Sequence, residues 1–190
     1  MNKQFITLFF LFFYIGFSQE NTFYGAFESN GIYYSQNDSK DFNEKFKSNN
    51  YFNLNYLIGN KWKFDLQLES YLPGRLQNFS ENLDDTYLST LSANYKTKNF
   101  DFSIGSIYEQ FGSGLILRTW EDRQLGINNS IWGIRTKFES DFINLKLLAG
   151  YQKKGREISK GKIIGFDSEI LLTENFQFGL SYVGRLENIA

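Results

Sequence analysis

The chain has 190 residues with 20 basic and 21 acidic side chains, a net charge of −1, which suits one domain with a substantial core and gives no global attraction to nucleic acid. It contains neither histidine nor cysteine, which removes Ser-His-Asp and Cys-His catalysis, typical zinc sites and disulfide staples together. No enzyme, cofactor or metal site is therefore expected.

The opening "MNKQFITLFFLFFYIGFSQE" places Lys3 before an apolar run from Phe5 to Phe17 and ends on the small residues Gly16 and Ser18. That is the layout of a cleaved Sec-type signal peptide over residues 1–19, too short in its apolar part for the ~20 residues of a membrane helix. Residues 20–190 are then the exported domain.

From there the chain alternates. In "KWKFDLQLESYLP", residues 61–73, Trp62, Phe64, Leu66, Leu68 and Leu72 fall on one parity and Lys63, Asp65, Gln67 and Glu69 on the other, the period of a β-strand. Strands are predicted over 23–34, 51–58, 62–72, 86–95, 100–108, 131–139, 143–151, 163–172 and 176–184, with no helix. The links alternate too: long over 35–50, 73–85, 109–130 and 152–162, short over 59–61, 96–99, 140–142 and 173–175. Short turns at one end and long loops at the other fit an antiparallel up-and-down transmembrane β-barrel, with apolar side chains on lipid and polar ones on a lumen. A secreted β-sandwich would alternate as well, but gives no reason for loops to be long at one end only.

Aromatics gather near both strand ends, as two membrane interfaces select. Tyr56, Trp62, Tyr95, Phe100, Phe138 and Phe176 lie beside the short turns; Tyr34, Tyr51, Tyr71, Tyr87, Tyr108, Trp132, Tyr151 and Tyr182 lie beside the long links. Nine strands is an odd number, and bacterial single-chain barrels use even ones, so the nine are expected to be the N-terminal portion of a larger barrel.

On this reading Lys63, Asp65, Gln67, Glu69, Asp101 and Lys146 line the lumen. The longest link carries Arg118, Glu121, Asp122 and Arg123, which would form a constriction if it folds inward, or solvated charge if it does not. The acid pairs Asp84-Asp85 and Glu121-Asp122 lack the spacing of a calcium loop and read as solvated charge. The basic link "QKKGREISKGK" is either a soluble tip or a contact for lipopolysaccharide phosphates.

The segment "GSIYEQFGSGLILRTWEDRQLGINN", residues 105–129, and a leader ending in "FSQ" before Tyr- and Asn-rich strands resemble the DUF6029 family of Bacteroidetes proteins. The resemblance implies an outer-membrane barrel in a longer chain and carries no catalytic residue. The expectation is a passive pore of the bacterial outer membrane, or a non-conducting scaffold of a secretion or uptake complex. Lipid, lipopolysaccharide and envelope proteins would be its partners, and nucleic acid would not.

Overall fold

The computed structural model describes residues 21–35, 45–76, 79–80, 83–174 and 176–187. The expected signal peptide and most of the first long link lie outside them. Nine strands form one antiparallel sheet in simple chain order: β1 (Asn21–Tyr33), β2 (Phe46–Ile58), β3 (Trp62–Ser70), β4 (Thr86–Lys96), β5 (Phe100–Ile107), β10 (Ile131–Glu139), β11 (Ile143–Lys154), β12 (Glu157–Thr173) and β13 (Phe176–Leu186). Between β5 and β10 sit two miniature hairpins, β6 (Gln110–Phe111) with β7 (Leu117–Arg118), and β8 (Glu121–Asp122) with β9 (Ile127–Asn128). Each predicted strand exists and pairs with its neighbour in sequence.

Three expectations need correction. The link 152–162 is a two-residue turn: β11 runs to Lys154, β12 begins at Glu157, and Lys153 pairs with Ile158 across a register shift. Gly155, at φ 62°, supplies the left-handed backbone that so tight a reversal needs. The link 109–130 holds hairpins of its own. Lastly, only part of the aromatic belt beside the long links faces outward, because Tyr51 and Tyr71 are buried and the Tyr71 and Tyr87 hydroxyls donate to Glu69 on the polar face. A bulge explains Tyr87. Gln67 pairs with Thr90 but Leu68 with Leu88, so Ser89 is an extra residue and every side chain before it changes face.

The two faces differ in composition. Phe52, Leu68 and Leu88 align across β2 to β4, and Ile104, Ile134 and Ala149 across β5, β10 and β11, on a face that nothing described covers. Near the short turns aromatic rings continue from strand to strand: Phe23 to Tyr56 at 6.3 Å, Tyr56 to Phe64 at 6.4 Å, Trp62 to Tyr95 at 4.7 Å and Phe100 to Phe138 at 4.9 Å. The opposite face carries Asn53, Asn55, Asp65, Gln67, Arg135, Lys146 and Asp167.

The sheet is open, with β1 and β13 as its edges. Eight antiparallel steps separate them, so the two edge strands run in the same direction. The sheet must also curl. The 108–130 link meets Glu28 on β1 through Arg123, and Asp167 on β12 through the Gly112 N–H. Laid flat, β1 and β12 would be ~34 Å apart at ~4.8 Å per strand. Eleven residues span at most ~36–40 Å when fully extended, at ~3.3–3.6 Å each, but the β6–β7 reversal sets Phe111 beside Leu117, so the backbone advances far less and the Arg123, Glu28 and Asp167 side chains make up only part of the difference. The polar face is therefore concave.

Candidate functional site

The site is the concave face together with the 108–130 link that lies in it. Gly105 is the last residue of β5 to pair with β4, opposite Ser92, while β5 stays on β10 as far as Ile107: its φ of 102° belongs to the left-handed half of backbone space, and a Cβ there would collide with the Leu91 carbonyl oxygen. Beyond it, β6 and β7 lower Phe111 onto the wall. Phe111 is fully buried with Ile107, Leu117, Ile131, Leu148 and Ile163, and Val183 packs against the group. Glycine makes room, since a Cβ on Gly165 would stand 2.8 Å from the Phe111 ring.

Charge surrounds this apolar anchor. Glu109, 5 % exposed, lies 3.2 Å from Arg135, 3.0 Å from Lys137 and 3.4 Å from Lys146. Arg135 also reaches Asp101 at 2.5 Å, and Lys146 reaches Asp167 at 3.4 Å. Burial alone would raise the Glu109 carboxyl, but the Gln110 N–H, Lys137 and Lys146 outweigh it and hold the group below its ordinary value. Glu109 is therefore a carboxylate at neutral pH and clamps the link to three cations of the wall.

The second hairpin covers the other half. Arg123 donates to Asn53 at 3.2 Å and Gln67 at 2.9 Å, approaches Glu28 at 3.4 Å, and stands over the Tyr51 ring. The Tyr51 hydroxyl donates back to the Arg123 carbonyl at 3.0 Å. Gln67 donates to Glu121 at 2.6 Å and to Glu69 at 2.9 Å. Burial holds the Glu121 carboxyl above its ordinary value against the Gln67 hydrogen bond and Arg123. At the rim Asn128 donates to Ser89 and Tyr108, and buried Lys153 donates to the Ser89 carbonyl exposed by the bulge.

Of the residues expected to line a lumen, all six lie on the concave face. Lys63 pairs with Asp65 at 2.8 Å, Asp101 with Arg135, and Lys146 with Glu109; Gln67 and Glu69 join the network under Arg123. Of the four expected in a constriction, Glu121 and Arg123 stand 3.8 Å apart and reach the wall. Asp122 instead accepts from the Gln124 and Leu125 N–H groups and shapes its own turn, and Arg118 is exposed. Glu109, Arg135 and Phe111 were missed. Arg135 and Lys137 occupy alternate positions of a predicted strand, so their face was readable; Glu109 precedes the glycine-containing stretch and had no periodicity to mark it. Among the described residues no group of three or more acidic side chains is placed to hold a metal ion.

The profile of the family of unknown function DUF6029 matches residues 1–190, the whole chain, so the chain belongs to that family. Comparison with curated proteins finds no match.

Proposed function

We propose that this DUF6029 member contributes a wall of an outer-membrane β-barrel, with its 108–130 link folded into the lumen as a constriction, and that it acts as a restricted pore. The inverted burial supports this reading. Among the described residues nine hydrophobic side chains are buried against seventeen polar or charged ones, while thirty-three large hydrophobics are exposed. Each large apolar side chain left in water forfeits ~1.5–3 kcal/mol of transfer energy, so a face of this kind is costly in water and favourable in hydrocarbon. The row of rings beside the short turns suits one membrane interface, and signal-directed export, lipid contact and outer-membrane residence follow from the same reading.

A non-conducting scaffold is the second reading, favoured by the complete burial of Phe111, which leaves no freedom at that point of the link. One experiment separates the readings. The complete barrel to which this wall contributes is refolded into liposomes, tested for flotation and protease protection, and then examined in planar bilayers. Flotation with conductance that rises when Arg123 and Glu121 are neutralised supports the pore; flotation without conductance in either form supports the scaffold. A chain that stays monomeric in buffer without detergent refutes both.

A further inference from the structure

A cavity of about 600 Å³ lies between the concave side of β1 and β2, the tip of the 108–130 link and the segment after β3. Its size is within the ~300–1,000 Å³ usual for small-molecule sites. Asn49, 1 % exposed, is held at its floor by the Leu76 N–H, which donates to Oδ1 at 3.1 Å. That bond fixes the amide orientation and leaves Asn49 Nδ2 buried without a hydrogen-bond partner. Buried amide donors are nearly always paired, and an orphan lining a cavity calls for an acceptor from outside the chain.

The remaining lining says what kind of acceptor. Glu28 and Arg123 face each other at 3.4 Å, so the rim has no net charge to attract an ion. Asn30 and Gln124 add neutral amide groups, and Tyr34 and Phe79 are half-buried rings on the wall. Amides that both donate and accept suit hydroxyl groups, which do the same, and ring faces suit the apolar C–H face of a pyranose.

We propose that this cavity is a binding site for a neutral oligosaccharide, with a sugar oxygen accepting from Asn49 Nδ2 and a sugar ring resting on Phe79. The site is built from described side chains alone and does not depend on membrane insertion, so flotation in liposomes and sugar binding succeed or fail separately.

The test uses the full chain in detergent micelles, with maltotriose, cellotriose and chitotriose as probes and trigalacturonate as the charged comparison, followed by isothermal titration and saturation-transfer NMR. Saturable binding of at least one neutral trisaccharide is expected. Asn49→Asp keeps the acceptor for Leu76 and removes the donor, and Phe79→Ala removes the ring; each weakens binding tenfold or more, with Gln124→Ala weakening it less. If Asn49→Asp fails to fold, the Phe79 and Gln124 variants decide. No saturable binding of any neutral probe, tighter binding of trigalacturonate, or unchanged affinity in the folded variants overturns the proposal.

Discussion

Replacing Glu109 by Gln isolates the clamp that holds the link in the concave face. The amide keeps an oxygen for the Gln110 N–H, which donates to Glu109 at 3.0 Å, and removes only the charge. Breaking a buried ion pair from one side costs ~3–5 kcal/mol when the other charge is stranded. Here Arg135 retains Asp101, Lys146 retains Asp167, and Lys137, 22 % exposed, can still reach water. The expected loss is accordingly about 2 kcal/mol, a fall of ~1 M in the urea midpoint for a slope of roughly 2 kcal/mol/M. Loosening is expected first at Leu115, already 92 % exposed at the tip of the β6–β7 hairpin, so limited proteolysis there should accelerate along with the shift. Because the carboxyl is held below its ordinary value when folded, its contribution is complete above the unfolded pKa of ~4.3 and is lost as pH falls through the folded one. Wild type should approach the variant below that range and exceed it above. Equal urea midpoints at pH 7, with unchanged cleavage near Leu115, would refute the clamp.

Glu121→Gln should do the opposite. The carboxyl is held above its ordinary value by burial, so its charge at neutral pH opposes folding, and the variant should gain about 1 kcal/mol at pH 7 in urea titrations, a gain that vanishes as wild type protonates on acidification. Tyr71→Phe removes one of three donors to buried Glu69, the others being Tyr87 at 2.7 Å and Gln67 at 2.9 Å; thermal melts should show a loss of about 1.5–3 kcal/mol. Burial and the Glu69 charge hold the Tyr71 phenol far above its ordinary range, so that donor stays protonated through any alkaline titration the fold survives. Gly105→Ala meets both a left-handed φ and the Leu91 carbonyl, and should cost more than about 3 kcal/mol, seen as failure to refold from urea.

Period two made the wall legible because each strand sorts its side chains between two environments of opposite polarity. Trp62 to Leu68 show this, and their observed facing matches the sequence pattern at every position. The reading failed where one residue breaks the period. Ser89 carries no mark in "YLSTLSANY" that distinguishes a bulge from an ordinary strand position, yet it turns Tyr87 from the apolar face to Glu69. It failed again at "QKKGREISKGK", where charge suggested a loop; Lys154, Arg156 and Lys160 are exposed on the two paired strands and their turn while Lys153 is buried against the Ser89 carbonyl, so polarity there does not separate strand from link. The site was half legible. Glu121 and Arg123 stood out as charge in the longest link, whereas Glu109 matters through Arg135, Lys137 and Lys146, which lie 26 to 37 positions away, and only strand register brings them together.

The place of that link in the sheet explains why one segment can serve the whole concave face. It joins β5 to β10, the fifth and sixth of nine strands, and so starts near the middle of the wall. A hairpin of a few residues then reaches β12 on one side and another reaches β1 on the other, which no link nearer an edge could do. The same topology sets a condition on closure. Since β1 and β13 run in the same direction, bringing them together would make a parallel pair in an otherwise antiparallel wall. Two copies inserted in the same orientation meet the identical obstacle, because β13 of one would face β1 of the next. An antiparallel barrel built on this wall therefore needs an odd number of further strands between the edges, and its lumen would be wider than nine strands enclose. In a wider lumen the link, held by Glu109 and Phe111 to one half and by Arg123 to the other, would narrow the channel from one side only, the geometry that the proposed restricted pore requires.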